Sequence, residues 1–86
     1  SMTRITIVAS FDEAKTISDW CADSFSKFIY EPDMFSRRGN GWNCECSGTY
    51  KGKPTWTFHI HHKEWVTLFM LRCGEYITPL DIEFTV

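Results

Sequence analysis

Only one stretch of this chain repeats its apolar residues with the period of a helix, and nearly everything after it alternates with the period of a strand. Phe11, Ala14, Ile17, Cys21, Phe25 and Phe28 recur at helical spacing, flanked by Trp20 and Ser24. Asp12, Lys15, Asp19, Asp23 and Lys27 fall largely on the other side. Ser10 with Glu13 three residues on is a capping-box signature, and Asp12 adds an acidic first turn. Glu31-Pro32 stops the helix, because the residue before proline is pushed out of the helical region. The spacing therefore predicts an amphipathic helix over residues 11–29.

The flanking segments read as strands. Residues 3–9 are β-branched. Residues 31–41 form the longest irregular stretch. Trp42, Cys44, Cys46, Gly48 and Tyr50 then alternate with Asn43, Glu45, Ser47 and Thr49. Lys51-Gly52-Lys53 reads as a three-residue hairpin loop, and Trp56, Phe58 and Ile60 alternate with Thr55, Thr57, His59 and His61. Residues 65–73, apolar on both faces, read as a further strand. In the last strand Tyr76, Leu80, Ile82, Phe84 and Val86 alternate with Ile77, Asp81, Glu83 and Thr85, and Pro79 implies an edge or a bulge. One helix followed by a meander gives an α+β class: β-α-β-β-β-β, a single helix packed on one face of a mainly antiparallel sheet of four to five strands.

Eighty-six residues allow one domain, 1–86, with Ser1 ahead of Met2 reading as a cloning remnant. A core this small is thin. Four Trp, seven Phe and three Tyr are more aromatic bulk than it readily hides, which points to a partner or a second copy of the chain. No run of eighteen apolar residues exists, so no membrane span is expected. Residues 2–10 are too short and too β-branched for a secretory signal. With four cysteines and no such signal, all four are expected reduced and the location cytoplasmic.

The net charge of −2 argues against strong nonspecific nucleic-acid affinity, but the charges are segregated. Residues 34–63 carry Arg37, Arg38, Lys51, Lys53 and Lys63 against Glu45 alone, whereas the segments on either side are acidic. Arg37-Arg38-Gly39-Asn40-Gly41-Trp42 is thus a candidate anion site, with two guanidiniums, a flexible turn and a stacking ring.

Zinc is the other temptation, since Cys44 and Cys46 lie on the strand beside His59 and His61. Strand parity opposes it. The three-residue loop pairs Tyr50 with Pro54, Cys46 with Phe58 and Cys44 with Ile60, turning the cysteines inward with the aromatics and the histidines outward beside Glu45. His59 and His61 remain a metal or acid–base candidate. No nucleophile setting and no phosphate loop are present, so no catalytic residue and no cofactor is expected.

If 65–73 is a strand in a one-helix meander, one of its two apolar sets faces away from the helix. Either Trp65, Phe69, Leu71 and Cys73, or Val66, Leu68 and Met70, would then form an uncovered patch, with Ile77 and Val8 adding to the second. The leading expectation is a non-enzymatic protein-binding module, an inhibitor or modulator of the phage, immunity or antitoxin size class. It would hold its protein partner, or a second copy as a homodimer, through a sheet face, an edge or the 31–41 loop. Arg37, Arg38, Asn40, Trp42, Trp65, Val66, Leu68 and Met70 would make the contact. The alternative is nucleic-acid binding through Arg37, Arg38, Trp42, Lys51 and Lys53, and the third is metal binding through His59 and His61.

Overall fold

A computed structural model describes the backbone of residues 2–85 and the side chains of residues 2–76. The chain runs β1 (Met2–Val8), α1 (Phe11–Ser24), β2 (Ser36–Gly39), β3 (Trp42–Tyr50), β4 (Lys53–Ile60), α2 (Lys63–Cys73), a 3-10 turn (Gly74–Tyr76) and β5 (Ile77–Thr85). The strands form one sheet in the order β2-β3-β4-β1-β5, and every neighbouring pair is antiparallel. The class is α+β, as the sequence predicts. The order of elements is not: the 65–73 segment is a helix, so there are two helices and not one.

The reason lies in the period. Val66, Phe69 and Cys73 are buried at helical spacing, while Leu68, Met70 and Leu71 are exposed. Apart from Trp65 and Thr67, the rest of α2 is Lys, Glu, Leu, Met and Arg, which all favour helix. A run with apolar residues on both faces satisfies either period, so tertiary packing decides.

Thr3, Ile5 and Ile7 of β1, Trp42 and Cys44 of β3, and Trp56, Phe58 and Ile60 of β4 are buried on one face. Both helices cover that face. Phe58 meets Phe69 of α2 with ring centroids 4.8 Å apart, and Trp56 meets Phe11 at the start of α1 edge-on at 5.5 Å. Between the helices, Phe25 stacks on Trp65 at 4.9 Å with its rings 9° from parallel. Among the described residues the opposite face is mostly polar, Val8 being an apolar exception. Thr6, Asn43, Glu45, Thr57 and His59 lie on it, with the Thr6 and Thr57 hydroxyls 3.2 Å apart. The uncovered apolar sheet patch expected from residues 65–73 is therefore absent among the described residues. The side-chain alternation expected beyond residue 76, Ile77 included, lies outside them.

Ser10 caps α1 as its sequence signature predicts. Its Oγ accepts from the Glu13 N–H at 3.1 Å, and its own N–H donates to Glu13 Oε1 at 2.8 Å. Replacing Ser10 with alanine is expected to cost about 1 kcal/mol. Urea denaturation would read that as a lower midpoint at unchanged slope.

α1 ends at Ser24 rather than near 29, because the residues beyond it are engaged by β2 and β3. Trp42 donates its indole N–H to the Ser26 carbonyl at 2.9 Å, and the Ser26 hydroxyl donates to the Asn40 carbonyl at 2.6 Å. Phe28 then bridges Gly39, and the Ile29 N–H donates to the Arg38 carbonyl at 2.8 Å.

The β3–β4 loop holds two residues, not three. Lys51 and Gly52 have φ of 50° and 80°, the left-handed pair that a tight hairpin requires, and Tyr50 pairs with Lys53. A bulge between Cys46 and Gly48 then restores parity, so Cys46 faces Trp56 and Cys44 faces Phe58. The partners differ from those expected, but the face is the same.

Candidate protein-binding surface

The 31–41 stretch that reads as irregular contains β2 and, ahead of it, a loop with its apolar side chains turned to solvent. Ile29, Tyr30, Met34 and Phe35 are 52%, 64%, 60% and 56% exposed. Exposure of this kind in a loose loop would mean little. This loop is fastened at both ends and in the middle. The Ile29 N–H is held by Arg38, and the Cys46 N–H donates to the Phe35 carbonyl at 2.8 Å. Asp33 Oδ1 accepts from the Phe35 and Ser36 N–H groups at 2.7 and 2.8 Å, while the Asp33 N–H donates to the Ser36 carbonyl at 3.2 Å. An aspartate turned back on its following backbone is the standard means of fixing such a turn. Phe35 also packs edge-on against Phe11, with centroids 5.8 Å apart.

The same bonds fill outward-facing backbone groups of β2, so this edge of the sheet is covered by its own loop and is a poor template for strand addition. They also hold the Asp33 carboxyl below its ordinary value, the Phe35 and Ser36 N–H groups being the main causes. A carboxylate whose folded pKa is depressed stabilises the fold above its unfolded pKa and loses that contribution as pH falls through the folded one. Loop order is accordingly expected to persist from neutral pH to about pH 4 and to fail below it. The amide resonances of Phe35 and Ser36 during an acid titration check this.

Alternation along β2 turns Arg37 toward the helix side of the sheet and Arg38, paired with Asn43, toward the open face. Arg37 is only 9% exposed, and its guanidinium carbon lies 5.3 Å from the Trp56 ring centroid. Its Nη1 is buried with no hydrogen-bond partner among the described residues. Burying a charged donor without an acceptor is costly, so such an atom needs explaining. Arg37 lines two grooves: Tyr30, Glu31 and Ser36 line one, and Phe11, Asp12 and Met34 line the other.

The remaining residues singled out from the sequence do not gather here. Trp42 is 1% exposed with its indole N–H bonded to Ser26, so it offers no ring for stacking. Asn40 sits in the β2–β3 turn, and its carbonyl accepts from Ser26. Lys51 and Lys53 are at the far hairpin tip, Lys51 lying 5.3 Å from the Tyr50 ring. Val66 is buried, Trp65 is half-buried against Phe25, and Leu68 and Met70 lie exposed on α2. Phe11 and Ile29 fall within the helix that the spacing predicts, whereas Tyr30, Met34 and Phe35 escape a reading by period because they belong to no helix or strand pattern. The available signal was Asp33 two residues before Phe35 and three before Ser36, a turn aspartate amid large apolar residues.

The four cysteines are free thiols. Cys44 faces the core while His59 lies on the open face, as the parity argument predicts. Burial raises the Cys21 thiol far above its ordinary value and pushes Cys44 up to about 12 and Cys73 to about 11, so these groups are poor nucleophiles and poor ligands. The His59 Nδ1 lies 3.0 Å from Asn43 Oδ1, and burial followed by nearby Arg4 lowers its pKa. Among the described residues no group of three His, Cys, Asp or Glu is placed to hold a metal ion. No described helix is long and apolar enough to cross a membrane. No protein-family model, no curated protein and no solved structure matches this chain.

Proposed function

We propose that this chain is a non-enzymatic binding module that occupies a protein partner through residues 29–35 and the grooves beside Arg37, acting as an inhibitor or modulator by occupation. The observation that carries this is the fastened loop, which holds four large apolar side chains more than half exposed. Aromatic residues, methionine and arginine are the types enriched where protein interfaces bury their centres. A surface fixed before contact also loses little entropy on binding. Of Arg37, Arg38, Trp42, Lys51 and Lys53 only the two arginines share a groove, which Glu31, Asp33 and Glu45 also line, so no basic surface supports nucleic acid over protein.

The test compares complexes recovered with the wild-type protein, with Tyr30→Ala/Met34→Ala and with Leu68→Ala/Leu71→Ala, all affected side chains being exposed. The loop variant is expected to weaken the wild-type complex at least about thirtyfold, as loss of one 2 kcal/mol hot spot would. The α2 variant is expected to keep it. The reverse pattern would move the interface to α2 and refute the reading.

A further inference from the structure

The two grooves differ from an ordinary apolar patch in their charges, and these indicate what kind of segment fits. Arg37 supplies a buried guanidinium whose Nη1 has no acceptor among the described residues. An incoming carboxylate or phosphate is the usual partner for such a group. Here the surroundings oppose an anion. The groove beside Phe11 is lined by Asp12, Asp19, Glu31 and Asp33 against Lys15 and Arg37.

Two of those carboxylates are already engaged. Lys15 pairs with Asp19 at 3.1 Å, and Asp33 is bound to its own loop. Asp12 and Glu31 make no side-chain hydrogen bond or ion pair among the described residues. Asp12 also serves the first turn of α1, where an acidic residue complements the helix dipole. Glu31 lies outside any helix and lines both grooves.

Resting on the surface reading above, we propose that the occupant is a basic, partly apolar segment of the partner protein. Its main-chain carbonyl oxygens accept from the part of the Arg37 guanidinium that lines the grooves, Nη1 itself being closed to solvent. Its apolar side chains lie against Phe11, Tyr30 and Met34, and its lysine or arginine heads meet Asp12 and Glu31. A neutral carbonyl meets the donor without adding negative charge to an acidic groove. The cations supply the long-range attraction, which raises the association rate and makes affinity sensitive to salt.

The test uses two capped pentapeptides, one alternating lysine with phenylalanine and leucine and the other with glutamate in place of lysine. Each is titrated into the 15N-labelled protein. The basic peptide is expected to shift the Arg37 Nε resonance and the amides of residues 30–36. Its affinity is expected to fall about tenfold in Asp12→Asn/Glu31→Gln and severalfold between low and high salt. Tighter binding of the acidic peptide, shifts mapping elsewhere, or unchanged affinity in the neutralised variant would overturn the proposal. If neither peptide binds while Tyr30→Ala/Met34→Ala still abolishes the native complex, the partner chemistry is wrong and the surface stands. If the native complex survives that variant, the surface itself is refuted.

Discussion

Gly39→Ala is expected to destabilise the domain by about 3 kcal/mol, although it adds a single methyl group. A Cβ at this position would sit 2.1 Å from the Trp42 Nε1 and 2.7 Å from the Ser26 carbonyl oxygen. The ring cannot yield, because Trp42 is 1% exposed in the core. The carbonyl cannot yield without releasing the indole N–H it accepts. Displacement would orphan the buried Trp42 indole N–H and the part-buried Ser26 carbonyl, and break the Phe28–Gly39 bridge that starts the 29–35 loop. Small domains hold margins of only about 5–10 kcal/mol, so urea denaturation should show a large drop in midpoint. The Trp42 indole proton should move with it. A loss under 0.5 kcal/mol would mean that the close approach of the strand turn to the Ser26 backbone is not as described.

Trp56→Ala is expected to cost more, about 3–5 kcal/mol, and to leave a substantial unfolded fraction at 37 °C. Trp56 is fully buried and does three things at once. It donates its indole N–H to the Ala9 carbonyl at 3.1 Å, takes the edge of Phe11 at 5.5 Å, and lies under the Arg37 guanidinium at 5.3 Å. Alanine would leave a cavity, an unsatisfied carbonyl and a buried cation without its aromatic support. Trp56→Phe keeps a ring for Phe11 and Arg37 and loses the hydrogen bond, so it should cost less than half as much. Equal losses for the two variants would show that the hydrogen bond, and not the ring, dominates.

What the sequence made legible was local or set by parity. The Ser10–Glu13 cap, the alternation in β3 and β4 and the inward turn of Cys44 follow from spacing alone, and the last survived an error in loop length. Residues 65–73 failed because a run with apolar residues on both faces fits both periods. Their length decides nothing, since β3 is a strand of the same nine residues. Trp42 was claimed twice by the sequence, as the first residue of a strand pattern and as part of an arginine-glycine loop, and burial settled it for the strand. The surface built by Phe11, Tyr30, Met34 and Phe35 depends on where the chain goes after α1. That path is set by bonds from Trp42, Gly39 and Arg38, which are distant in sequence and invisible to local pattern.

The account depends on the apolar side chains of residues 29–35 being held out to solvent by an ordered backbone. Backbone 15N relaxation of the free protein tests that directly. Order parameters for residues 29–36 are expected near 0.85, matching the strands of the sheet. Values below about 0.6 across Tyr30–Phe35 would describe a loose loop whose exposed side chains carry no prearranged surface, and would contradict the central claim.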